Sequence, residues 1–155
     1  MFQTFGSLYI DGSPTKPGIP YPDGAQIEFG SAVPGFELLW RPLPSTDSFV
    51  LAQPALVNIS WRHLRNLGFI QGKPFEMDGR MFMVRLPRLG VKPPTGAVPV
   101  EGIRAWGQET FIGFQNGKPV QQCPVRGLTA HSWGSAHPAE RVMDLGFVPV
   151  IDAGI

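Results

Sequence analysis

The sequence predicts an α+β fold in which short strands outnumber short helices and pair in antiparallel or mixed sheets. Nineteen glycines and seventeen prolines divide its 155 residues into short segments, while eleven phenylalanines and four tryptophans supply the bulky apolar surface that disordered chains lack. The dipeptides Asp78-Gly79 and Asn116-Gly117 separate apolar segments, which is a strong signal for a hairpin. We find no βαβ alternation, and the length favours a single domain over residues 1–155.

The first 48 residues are predicted to be rich in β-structure. Residues 2–10 alternate apolar and small side chains and stop at Asp11-Gly12, so we expect a strand followed by a turn. Four prolines between residues 13 and 24 predict an ordered loop or an arm. Two alternatives stay open for this region, a β-rich extension of the domain or an arm for assembly that packs on a neighbouring molecule. Short strands are also predicted at residues 26–29 and 36–40.

One helix with recognisable ends is predicted over residues 61–67. Ser60 stands where an N-cap belongs, and Gly68 supplies the left-handed residue that ends a helix. Trp61, Leu64 and Leu67 recur at three-residue spacing and should face the core. A second, shorter helix is predicted around residues 101–106. The remaining strands are predicted at residues 75–77 and 80–86, at residues 111–114 and 120–125, and at residues 147–151.

Charge and cysteine content exclude several classes of protein. Thirteen basic and twelve acidic residues give a net charge of +1, so no long-range field would draw the chain to nucleic acid or to an anionic membrane. The single cysteine, Cys123, excludes a secreted lectin built on intrachain disulfides. No apolar run approaches the ~20 residues of a spanning helix, and residues 1–5 lack the features of a signal peptide. We therefore expect a soluble protein that is cytoplasmic or virion-associated and is not secreted through a signal peptide.

Motifs near the C-terminus carry a resemblance to a known family. Arg126-Gly127 ends a predicted strand and is followed by Ser132-Trp133, and Arg141 precedes the Gly146-Phe147 strand. Upstream, Trp106-Gly107-Gln108-Glu109 matches a Trp-x-x-Glu segment. In this order the motifs resemble the C-type-lectin-like fold in the branch that holds formylglycine-generating enzymes and retroelement-diversified variable proteins. The resemblance covers roughly the last third of the chain.

The resemblance implies both an architecture and a ligand-facing loop. It implies a C-type-lectin-like fold with Arg126-Gly127 and Gly146-Phe147 on neighbouring central strands. In the diversified relatives the loop after the Arg-Gly strand faces the ligand. A looser likeness that begins at Asn58-Ile59-Ser60-Trp61 is to uncharacterised bacterial and prophage proteins, and Val148 departs from the family because an arginine usually follows Gly-Phe.

The candidate binding residues combine rings with small polar groups, as recognition loops do. Trp133 has an alternative place in the core, because tryptophan is buried on average. Arg126 and Arg141 are predicted to be scaffold residues that hold the loop by donating to its carbonyls. The candidate ligand-binding residues are Thr129, His131, Ser132, Trp133, Ser135, His137, Trp106 and Glu109.

No set of residues in the sequence forms a recognisable catalytic or metal site. The family's enzymes use a pair of cysteines as a copper and redox site, and here Cys123 is alone and is expected to be a buried, inert thiol. His131 and His137 lack a third ligand of suitable type nearby, whereas zinc needs three or four. We therefore expect no enzyme, no cofactor and no metal. An oxidase of the formylglycine-generating type stays an alternative only if a second thiol or a bound copper is supplied from elsewhere.

The predicted function is non-catalytic binding of a protein or small-molecule ligand, in a module of phage or prophage type. The ligand would contact the loop after Arg126-Gly127. The alternative is a structural virion or assembly component that forms homo-oligomers through residues 1–48. Neither nucleic acid nor a membrane is an expected partner.

Overall fold

The computed structural model describes residues 1–44, 46–89, 104–127 and 134–153. The described residues are nearly all β, with 51% strand and 5% helix. The predicted α+β class of C-type-lectin-like type is therefore wrong. The physical reason is length, because glycine and proline divide the chain into short segments that suit strands, and a helix as short as α1 depends on its caps and on packing against the core.

Fifteen strands and one helix are present in the described residues. In chain order they are β1 (Gln3–Ile10), β2 (Ser13–Thr15), β3 (Ile19–Pro20), β4 (Ile27–Gly30), β5 (Glu37–Pro42), β6 (Ser48–Leu51), β7 (Leu56–Val57), α1 (Trp61–Leu67), β8 (Lys73–Met77), β9 (Arg80–Arg85), β10 (Arg104–Trp106), β11 (Phe111–Gln115), β12 (Lys118–Gly127), β13 (Gly134–Ala136), β14 (Leu145–Phe147) and β15 (Val150–Ala153).

The first sheet has eight strands and curls into a half-barrel. Its order is β2-β1-β5-β6-β15-β9-β8, and β4 also pairs with β1. All of these pairs are antiparallel. The strand β15 lies inside the sheet, between β6 and β9.

The tip of the β8–β9 hairpin fastens the curled sheet to its opposite side. The carboxylate of Asp78 accepts hydrogen bonds from the backbone N–H groups of Gly6 (2.9 Å) and Ala32 (2.8 Å), and the N–H of Asp78 donates to Ser31 Oγ (3.2 Å). The register between β1 and β5 shifts at Gly6, whose φ is +68°. A Cβ at Gly6 would lie 2.6 Å from Met77 Sδ, so this close approach requires glycine.

The second sheet contains seven strands and is mixed. Its order is β11-β12-β10-β14-β7-β3, with β13 paired to β12, and β10 runs parallel to β14. Ala105 lies opposite both Arg126 and Gly146, so β10 separates the two strands that we expected to be neighbours. That expectation is wrong. The helix predicted around residues 101–106 is also wrong where the structure describes it, because Arg104–Trp106 forms the strand β10.

The predicted helix α1 is confirmed together with its caps. Ser60 Oγ accepts from His63 N (3.1 Å), and His63 Nδ1 accepts from Ser60 N (3.2 Å) in a capping box. Gly68 ends the helix with φ of 93°. Trp61 and Leu64 are buried in the core, and Leu67 packs against it.

The N-terminal strands are built into both sheets and into the main core, with β1, β2, β4 and β5 in the first sheet and β3 in the second. Leu8, Leu38 and Trp40 are fully buried in the same cluster as Leu64 of α1. Trp40 stacks on Phe5, and its Nε1 donates to the carbonyl of Phe5 (2.9 Å). In the described part of the chain no helix has the length and apolar character needed to cross a membrane.

Candidate functional site

The predicted ligand-binding loop is only partly described. Thr129, His131, Ser132 and Trp133 belong to residues 128–133, which join β12 to β13 and lie outside the described residues. Of the same loop, Ser135 and His137 are described, and both are exposed.

Trp106 and Glu109 make internal contacts. The ring of Trp106 is fully buried, and its Nε1 donates to the carbonyl of Ile59 (2.8 Å). A carboxylate oxygen of Glu109 accepts from the N–H of Leu89 (3.1 Å), and Glu109 is half-buried. The ring of Trp106 therefore belongs to the core.

The two predicted scaffold arginines have different surroundings. Arg126 is 3% exposed on β12, opposite Ala105, and burial lowers the pKa of its guanidinium below the ordinary value. Arg141 donates from Nε to the carbonyl of Asn58 (2.7 Å) and from Nη2 to that of Tyr21 (2.6 Å).

Arg141 also pairs through Nη1 with the carboxylate of Asp23, and its guanidinium lies over the ring of Tyr21. These contacts fasten the segment before β14 to residues 21–23 and to Asn58. They do not reach the described ends of the loop after Gly127, which are β12 and β13.

An open groove of about 690 Å³ lies between the β11–β12 hairpin and residues 135–140. Two predicted residues, Ser135 and His137, contribute to it. Its wall is completed by rings, side-chain amides and one carboxylate. The lining residues are Phe111, Gly113, Phe114, Gln115, Gln122, Ser135, Ala136, His137, Ala139 and Glu140.

The turn at Asn116-Gly117 explains why this part of the chain forms the hairpin that is one wall of the groove. Asn116 and Gly117 have φ of 52° and 76°, the left-handed pair that a two-residue hairpin turn requires, so β11 folds back onto β12. Side chains alternate between the two faces of a strand, which puts Phe111 and its partner Gln122 on one face. Ile112 and Phe114 share the other face and are 62% and 76% exposed.

The sequence predicts this hairpin but not its part in the groove. The available signal was the run Phe111-Ile112-Gly113-Phe114, which has apolar side chains on both faces of one short strand. A strand that covers a core on one side normally has a polar opposite face. Apolar residues on both faces therefore indicate either full burial or an exposed apolar surface, and the structure shows the second.

Hydrogen bonds within one turn hold His137 in the wall of the groove. His137 Nδ1 accepts from the N–H of Ala139 (3.1 Å), and the carbonyl of His137 accepts from the N–H of Glu140 (2.9 Å). The ring of His137 is therefore held by the turn on which it lies. Across the described ranges, no three His, Cys, Asp or Glu side chains group together as metal ligands would.

Cys123 is buried, as expected. Its side chain is fully enclosed in the main core, and burial raises the pKa of its thiol to about 12. The thiolate is the nucleophilic and metal-binding form, so this cysteine is inert in the folded protein.

A serine, a histidine and an aspartate also meet at the start of α1. Ser60 Oγ lies 2.9 Å from His63 Nδ1, and His63 Nε2 lies 4.0 Å from the carboxylate of Asp23. The buried hydroxyl of Ser60 accepts the N–H of His63 as the helix cap. The arrangement therefore stabilises the helix, since the serine oxygen is engaged by backbone and enclosed.

Comparisons with protein-family models, with curated proteins and with solved structures find no match for this chain.

Proposed function

We propose that the protein is a non-catalytic binding module that takes its ligand in the groove between the β11–β12 hairpin and residues 135–140. One observation carries the proposal. The groove is lined by ring faces and side-chain amides, and it includes two residues of the predicted binding loop, Ser135 and His137. Rings provide rigid contact area and amides provide adaptable hydrogen bonds, which is the combination that recognition surfaces use.

The ligand that fits this lining is small and largely uncharged. A volume of about 690 Å³ lies within the roughly 300–1,000 Å³ of ordinary small-molecule sites. Gln115 and Gln122 each bring both a donor and an acceptor, whereas Glu140 is the single carboxylate of the lining. A hydrogen-bonding neutral molecule with an apolar face would therefore gain more contacts here than a strongly charged one.

A binding role also agrees with the openness of the groove. Enzymes exclude water from the reacting groups to strengthen electrostatic interactions, and this groove faces solvent along the exposed residues Gln115, Ser135 and His137. Binding by contact area and hydrogen bonds needs no such exclusion, because bridging waters can join the interface.

The test is a screen of neutral hydrogen-bonding fragments against the ¹⁵N-labelled full chain by NMR. We expect the fragments that bind to shift the amide signals of Phe111, Gln122 and His137. The change Gln122→Leu should weaken them at least about fivefold, the loss expected for one hydrogen bond. Gln121→Leu is the matched control, because Gln121 is exposed on the opposite face of the same strand.

Two outcomes would contradict the proposal. Either the fragments that bind shift signals outside the groove, or both glutamine variants lose affinity equally. Thermal melts of both variants must match the wild type, so that a lost affinity reports the groove and not unfolding.

A further inference from the structure

The strand β11 lies at one edge of the second sheet. It ends the strand order of that sheet, and among the described residues its one strand partner is β12. Its five residues make it longer than the other short outer strands β2, β3 and β13. The outer strand β8 of the first sheet differs, because Asp78 at its tip is hydrogen-bonded to the opposite side of the half-barrel.

The backbone of β11 offers hydrogen-bonding groups to a further strand. In a hairpin closed by a two-residue turn, the residues that flank the turn bond to each other, and alternate residues beyond them direct N–H and C=O outward. Here Gln115 pairs with Lys118 at the turn. By this alternation Ile112 and Phe114 direct their backbone groups away from β12.

The same two residues carry the large exposed side chains of the hairpin. Ile112 and Phe114 project on one face and are 62% and 76% exposed. Gly113 between them has no side chain that would obstruct a partner. Natural edge strands are usually blunted by charge, proline or a bulge, and the sequence of β11 contains no charged residue and no proline.

We propose that the outer edge of β11 binds an extended, uncharged polypeptide segment, which pairs with Ile112 and Phe114 as an added strand. Phe114 also lines the groove, but the proposal goes beyond the groove, since it uses the backbone edge of the hairpin and a different class of ligand. Backbone pairing supplies the affinity in this mode of recognition, and alternate side chains of the segment supply the specificity. Because β11 has no charged residue that could pair with a charged side chain, we expect the part of the segment that pairs with it to be uncharged.

The size of the edge favours a peptide segment over a second copy of the chain. A stable dimer buries roughly 1,200–2,000 Å² in total. The edge offers five residues, of which only Ile112 and Phe114 have large exposed apolar side chains. A peptide segment needs only the backbone pairing and a few side-chain contacts.

The experiment selects binders from a library of random linear peptides on the immobilised full chain. An enriched peptide is then synthesised with N-methyl groups at single alternate positions. Methylation at positions that face β11 should weaken binding by about fivefold for each blocked hydrogen bond, and methylation at the positions between them should not. The same loss is expected for Ile112→Pro, which removes one outward N–H at a position where an edge strand tolerates proline.

The control variant Ile112→Val keeps the N–H and should bind as the wild type does. If Ile112→Pro fails to fold, the binding of the methylated peptides to the wild-type chain still tests the proposal. The proposal is overturned if no peptide is enriched, or if methylation acts equally at both sets of positions. It is also overturned if Gln122→Leu abolishes binding while Ile112→Pro does not, which would place the peptide in the groove. A concentration-dependent dimer that is lost in Ile112→Pro would assign the edge to a second copy instead.

Discussion

The change Gly146→Ala tests how closely the second sheet is packed. Gly146 lies in β14, opposite Val57 of β7 and beside Ala105 of β10. A Cβ built at this position would lie 2.4 Å from the carbonyl oxygen of Leu56 and 3.3 Å from Val57 Cγ1. Real Cβ contacts stay above 3.0 Å, so β7 and β14 would have to separate by about 0.6 Å.

This separation has a cost because both strands are fixed by the core. The next residue, Phe147, is fully buried, and its carbonyl accepts the N–H of Ala55 (2.8 Å). Overpacking a core position by one methyl group typically costs about 1–3 kcal/mol. Here the new methyl group would meet the backbone oxygen of Leu56, which cannot change rotamer as a side chain can. We therefore expect Gly146→Ala to lower the free energy of unfolding by about 2–3 kcal/mol, which corresponds to roughly 5–10 °C in melting temperature.

The measurement is urea denaturation followed by tryptophan fluorescence. The matched control is Gly134→Ala, in a short strand of the same sheet, where the nearest atom to a new Cβ is Val125 Cγ2 at 3.7 Å. Neither glycine has a positive φ, so the two variants differ in contact and not in backbone strain. Gly134→Ala should stay within about 0.5 kcal/mol of the wild type. Equal losses in the two variants, or no loss in Gly146→Ala, would refute the reasoning.

Three further predictions concern single side chains. Asp78→Ala removes the acceptor for two backbone N–H groups and should lower the free energy of unfolding by about 1.5–3 kcal/mol in urea denaturation, and Asp78→Asn, which keeps one acceptor, should lose less. Cys123 should resist a thiol reagent at pH 8 and react only as fast as the protein unfolds, because its thiol is enclosed and its pKa is raised to about 12; rapid labelling of folded protein would contradict this. Burial by itself raises the pKa of the Asp152 carboxyl. Hydrogen bonds from Arg85 and Ser48, together with the positive charges of Arg85 and Arg88, outweigh this effect, so the pKa lies below its ordinary value. The stability from this lowered pKa is present above the unfolded value of about 3.9 and is lost as pH falls through the folded value, so Asp152→Asn should show a shallower acid-unfolding profile than the wild type.

Local features of the fold were predictable from the sequence. Asp11-Gly12, Asp78-Gly79 and Asn116-Gly117 all have φ above zero at both positions, which is the hairpin geometry that these dipeptides indicate. Ser60 and Gly68 likewise mark the ends of α1. In each case the signal lies in one or two neighbouring residues, because the required backbone angles limit which residues fit.

The fold class and most of the candidate site depend on pairings between distant segments. Arg104–Trp106 becomes a strand because β12 and β14 bond to it on both sides, and three residues carry no periodicity that distinguishes a strand from a helix. Trp106 looked like part of a surface motif, yet the carbonyl of Ile59 and the core enclose it. The groove joins residues 111–115 to residues 135–140, and no local pattern encodes that contact.

The place of β15 within the first sheet has a consequence for how the protein is made. β6 and β9 do not bond to each other, because each is paired with β15. A growing chain therefore carries two half-sheets whose inner edges at Val50 and Val84 stay unpaired until residues 150–153 have been synthesised. Open apolar strand edges are the usual starting points of aggregation during folding. The nascent chain thus depends on β15 to join the two half-sheets, and delayed synthesis of that strand would prolong the interval in which these edges stay open.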